Sequence, residues 1–65
     1  MTFGSALKKA REELKLTQME LSREVGISFS TINRYENGKH FPTPIILNAL
    51  RFYFQNKNIE FEYEE

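Results

Sequence analysis

The sequence predicts an all-α domain of four short helices that ends in a short β-strand or extended tail. Two observations predict it. Apolar residues recur at spacings of three and four in successive stretches, each preceded by a residue suited to capping a helix, at Thr2, Thr17, Ser28 and Thr43. From Ile59 to Glu64 the period changes to two, apolar then acidic, which is the pattern of a strand. Between them, Gln55-Asn56-Lys57-Asn58 breaks the helical pattern, dividing the chain into a helical domain over 1–56 and an acidic tail over 57–65.

In the first helix Phe3, Leu7, Ala10 and Leu14 fall on one face, while Lys8, Lys9, Glu12 and Glu13 fill the other. Lysine precedes glutamate at i,i+4, the weaker order, worth only ~0.2–0.5 kcal/mol per pair. Leu16 stands just before the next cap, in the position of a hydrophobic staple.

The stretch 17–39 organises the rest. Thr17 with Glu20 three residues on forms a capping box, and Leu21 and Val25 share a face. Gly26 can take the left-handed conformation that stops a helix. Ile27 is apolar, and Ser28 opens a second short helix with Ile32 and Tyr35 inward, closed by Asn37-Gly38. Helix, glycine turn, apolar residue, capped helix is the helix-turn-helix pattern. After the loop Lys39-His40-Phe41-Pro42, whose Phe41 is expected to tuck under the fold, Thr43-Pro44 starts a fourth helix. Its buried stripe is Ile46, Leu47, Leu50 and Phe54; Ile45, Ala49, Phe52 and Tyr53 widen the apolar surface beyond what one small core needs.

Size and composition exclude several function classes. A chain of 65 residues makes one small core. It has no cysteine, no aspartate and one histidine, which leaves no material for a disulfide, a thiolate metal site or a His-Asp pair. No nucleophile–base pair or glycine-rich phosphate loop occurs, so neither an enzyme nor a cofactor is expected. No signal peptide or apolar run of membrane-spanning length is present, and a cytoplasmic location is the expectation. The formal net charge is zero, but it is unevenly spread. Residues 1–55 carry eight Lys/Arg against five Glu, +3, and residues 56–65 carry Lys57 against Glu60, Glu62, Glu64 and Glu65, −3. A mildly basic body with an acidic tail is compatible with nucleic-acid binding.

At Leu16-Thr17-Gln18, Glu20-Leu21, Val25-Gly26-Ile27-Ser28, Thr31-Ile32 and Tyr35-Glu36-Asn37-Gly38-Lys39 the chain resembles the Cro/phage-repressor type of helix-turn-helix, the XRE family. The likeness covers roughly residues 3–54 without a gap. It implies a compact four-helix, lambda-repressor-like DNA-binding domain whose recognition helix lies in the major groove. By that resemblance Ser28, Phe29, Ser30, Asn33 and Arg34 match positions that supply base and nearby backbone contacts. Arg34 is the foremost candidate, since its planar fork suits guanine O6 and N7. Asn33 suits adenine or a phosphate. Phe29 suits a thymine methyl, or else belongs to the core. The resemblance also matches Gln18 to a position that grips a phosphate at the start of helix 2, where free N–H groups favour an anion. Thr17, Arg23, Asn37 and Lys39 are the further phosphate candidates, with a solvated surface role as the alternative for Arg23. Arg11 and Glu36 match a family pair that forms a salt bridge between helices 1 and 3. His40 reads as a solvated loop residue.

The function expected is sequence-specific binding of double-stranded DNA by a small transcriptional regulator, a repressor, acting as a homodimer on a palindromic operator. Phe52 on helix 4 and Ile59, Phe61 and Tyr63 on the tail are the expected dimerisation residues. The interleaved glutamates argue against reading these aromatics as a base-stacking platform. Two alternatives remain: an antitoxin or controller-type autoregulator whose tail binds a partner protein, and a protein-interaction module on the same fold.

Overall fold

A computed structural model describes residues 1–64; Glu65, the last acidic residue of the tail, lies outside the described residues. Four helices follow one another: α1 Phe3–Glu13, α2 Gln18–Val25, α3 Phe29–Glu36 and α4 Pro44–Asn56. Each begins at a side-chain cap. The hydroxyls of Thr2, Thr17, Ser28 and Thr43 accept from the backbone N–H of Ser5, Glu20, Thr31 and Ile46 respectively. At Thr17 the box is complete, because Glu20 also accepts from the Thr17 N–H at 2.8 Å. Pro44 occupies the first turn of α4, where no intrahelical N–H is needed.

The helix ends are equally explicit. Gly26 stops α2 at φ 71°. Helices α1, α3 and α4 share a different device, a reversal in which two successive N–H groups reach back to the last turn. Lys15 and Leu16 donate to Glu12 and Arg11, Gly38 and Lys39 to Tyr35 and Arg34, and Asn58 and Ile59 to Gln55 and Phe54. The first residue of each pair is left-handed, with Lys15 at φ 59°, Gly38 at 73° and Asn58 at 60°.

The core is built by Phe3, Ala6, Leu7 and Ala10 of α1, Leu21 of α2, Ile32 and Tyr35 of α3, and Leu50 and Phe54 of α4, joined by Phe61 of the tail. Burying each large side chain contributes about 1.5–3 kcal/mol. Gly4 lets α1 press against the end of α3: a Cβ there would stand 2.6 Å from the Tyr35 carbonyl oxygen. Phe41 is less covered than expected, 45% exposed, with its ring edge against Phe3 and Tyr63.

The tail takes the extended alternative, since no strand forms among the described residues. Its alternation survives with a different partner. Phe61 is buried and Ile59 and Tyr63 are half-buried against the helices, while Glu60, Glu62 and Glu64 are exposed. The Glu64 N–H donates to the Met1 carbonyl at 2.8 Å, which fastens the tail beside the start of α1.

Candidate nucleic-acid interface

Helix α3 is held from behind and exposed in front. Ile32 and Tyr35 are buried in the core, and the ring of Phe3 meets Tyr35 edge-on at 5.6 Å. On the outer side Ser28, Phe29, Ser30 and Arg34 are exposed, and Asn33 is half-buried. Phe29 is 43% exposed and therefore not a core residue. Ser28 is first of all a cap, as its bond to Thr31 shows. It also lies 2.7 Å from the Thr31 hydroxyl.

The ion pair of Arg11 and Glu36 stands behind this surface. Arg11 Nε donates to Glu36 Oε2 at 2.7 Å and its Nη2 to Oε1 at 3.0 Å, a two-point contact. The side chains are 11% and 3% exposed. The third nitrogen, Nη1, donates to the Leu16 carbonyl at 2.8 Å, so one guanidinium ties α1 to the α1–α2 turn and to the end of α3. Hydrogen bonding to Glu36 raises the Arg11 pKa against the opposing effect of burial.

Gln18 and Asn33 join this pair. Gln18 Nε2 donates to Glu36 Oε1 at 3.0 Å, and Asn33 Nδ2 donates to Gln18 Oε1 at 3.2 Å. Asn37 Nδ2 then donates to Asn33 Oδ1 at 3.1 Å. Three candidates for separate DNA contacts thus form one connected row across α2 and α3. No periodicity signals this row, because it depends on how the two helices face each other.

The cations are distributed unevenly. Arg23, Arg34 and Lys39 are exposed and form no ion pair among the described residues. Arg51 instead stacks over Tyr63 and Lys57 over Tyr53. Thr17 is exposed at the start of α2. His40 is exposed but stacks flat on Tyr35, at 5.7 Å and 7°. It lines a shallow cleft with Lys39, Phe41 and Glu64. Among the described residues no group of acidic or histidine side chains is arranged to hold a metal ion, and no helix is long and apolar enough to cross a membrane.

Of the residues expected at a dimer contact, Phe52 is 65% exposed and lies on α4 with Ile45, 82% exposed, and Ala49. Phe61 is inside its own core, and Ile59 and Tyr63 pack beside it.

The family model described as helix-turn-helix matches residues 7–51, which takes in α2, the Gly26 turn and α3. The chain belongs to the XRE-type helix-turn-helix family. It is 38% identical over 63 residues to multiprotein-bridging factor 1 of Candida albicans, covering 91% of this chain and 42% of that protein. The corresponding factor of Debaryomyces hansenii is 38% identical over 50 residues, 77% of this chain and 33% of that protein. The HTH-type transcriptional repressor RghR of Bacillus subtilis is 42% identical over 50 residues, 75% of this chain and 37% of that protein. The chain therefore spans less than half the length of these relatives.

Proposed function

We propose that this domain binds double-stranded DNA sequence-specifically through α3 and acts as a transcriptional repressor. The observation that carries the reading is the presentation of α3: Ser30, Phe29 and Arg34 face outward from a helix anchored by two buried side chains and the Arg11–Glu36 pair. Exposed Arg34 is the principal base reader, aided by Ser28, Phe29, Ser30 and Asn33. Thr17, Gln18, Arg23 and Lys39 contact the phosphates around it, which sets register without reading sequence. The repressor assignment draws support from the name of the Bacillus relative.

Two copies act on a palindromic operator, since one such module offers few base contacts. The exposed apolar stripe Ile45, Ala49 and Phe52 on α4 supports the dimer contact better than the tail does, because Phe61 is already used within its own chain. A second reading, a protein-bridging role, draws on the names of the two yeast relatives and on the same stripe.

Selection from random duplexes by electrophoretic shift at two salt concentrations tests the proposal. The expected result is a palindromic site, bound more weakly at high salt and lost on Arg34→Ala. No binding to any duplex at low salt would overturn it in favour of the bridging role.

A further inference from the structure

The row Arg11–Glu36–Gln18–Asn33–Asn37 has a direction. Glu36, paired at both oxygens with Arg11, can only accept hydrogen bonds. Gln18 must therefore turn its amide nitrogen toward Glu36, which leaves its oxygen facing Asn33. That oxygen in turn requires the nitrogen of Asn33, whose own oxygen is left facing Asn37 and receives its Nδ2–H. An isolated side-chain amide has two nearly equivalent flips, and only its partners distinguish them. Here a buried anion at one end selects a single flip for each amide in the row.

The consequence falls on Asn33, half-buried on the outer side of α3. Its nitrogen points toward α2 and its oxygen toward the end of α3, with one N–H and one lone pair to spare. Asparagine reads adenine by accepting from N6 while donating to N7, whereas guanine shows acceptors at both positions. An amide free to flip adapts to several edges; one held in a fixed orientation does not.

We propose that Asn37 is a positioning residue: its bond to the Asn33 oxygen immobilises Asn33 in the amide orientation that Glu36 and Gln18 select, the one with which Asn33 selects adenine over guanine at a base pair of the operator. This rests on the reading of α3 as the recognition helix. It replaces the phosphate contact expected of Asn37 with an action through Asn33. Glu36 fixes the row from the protein interior, and Asn37 closes it at the surface.

The test measures binding to operator duplexes carrying each base at every position, for the wild type, Asn33→Ala, Asn37→Ala, Asn37→Gln and the double alanine variant. The wild type is expected to prefer adenine over guanine at one pair of each half-site by at least about fivefold. Asn33→Ala abolishes that preference. Asn37→Ala reduces it by at least about threefold, with preferences at other pairs intact, and Asn37→Gln restores it. The double variant shows no further loss of preference beyond Asn33→Ala, as expected for residues acting as a unit.

Uniform weakening across all sequences by Asn37→Ala would make Asn37 a phosphate contact and overturn the proposal, as would an unchanged preference. A wild type that selects no duplex site would overturn both this proposal and the DNA-binding reading. The DNA-free protein separates the two failures. There Asn37→Ala is expected to shift the Asn33 side-chain amide resonances, and unchanged resonances would refute the row itself.

Discussion

Phe61 packs on Phe54 with ring centroids 5.1 Å apart, so the tail completes the core of its own chain. Phe3 also meets Phe61 edge-on, at 5.9 Å. Phe61→Ala is therefore expected to cost about 3–5 kcal/mol, the usual range for a buried phenylalanine. In a domain of this size that lowers the melting temperature by more than about 10 °C. Thermal denaturation followed by circular dichroism checks it. Sedimentation of the same variant separates the two roles the tail can have: a tail that serves only the core leaves the association state of the folded fraction unchanged.

The Arg11–Glu36 pair supports a second prediction. Glu36→Ala leaves a largely buried guanidinium without its anion, and removing one partner of such a pair costs about 3–5 kcal/mol. Replacing both residues by apolar ones of similar volume is expected to recover most of that loss. It is not expected to recover sequence preference, because Gln18 loses the acceptor that orients it. Urea denaturation reads the first effect and duplex selection the second. Equal stability of the single and double variants would show that the pair is solvated.

The helices were legible in the sequence because their signals are local. A capping hydroxyl, a glycine stop and a spacing of three or four each lie within one or two turns of chain. The tail alternation was equally legible, but its partner was not. Period two tells that one side of Ile59, Phe61 and Tyr63 is covered, whereas what covers it depends on where Phe3 and Phe54 lie in space. The same limit applies to the row from Gln18 to Asn37, whose bonds between Gln18 and Asn33 and between Gln18 and Glu36 cross from α2 to α3. The end of α1 was obscure for another reason. Its left-handed residue is Lys15, and lysine carries no turn signal.

That lysine yields a third prediction. A left-handed residue with a Cβ is disfavoured by about 1–2 kcal/mol, a strain that glycine avoids. Glycine gives part of this back through the greater freedom of the unfolded chain, about 0.5–1 kcal/mol. Lys15→Gly is therefore expected to stabilise the domain by a few tenths to about 1 kcal/mol. Its side chain is exposed, so no core contact is lost. A higher urea midpoint at unchanged slope is the expected result; a lower midpoint would mean that the lysine side chain stabilises the turn in some other way.

Tyr35 gives a prediction in the alkaline range. It is 1% exposed, and burial raises its phenol pKa above the ordinary value of 10. The neutral phenol is thus favoured by folding, and the unfolded chain ionises first as pH rises. The associated stability is whole below about pH 10 and is lost as pH rises through the higher folded value. Tyr35→Phe removes that loss while keeping the ring that packs on Phe3 and His40. Tyr53, whose pKa is also raised by burial and by its hydrogen bond to Glu24, continues to contribute in the variant. Between pH 9 and 12 the melting temperature of the wild type is therefore expected to fall more steeply than that of Tyr35→Phe, though both fall. Parallel curves would mean that Tyr35 ionises in the folded state as readily as in the unfolded chain, and that the end of α3 opens to water more freely than its burial against Phe3 and Gly4 implies.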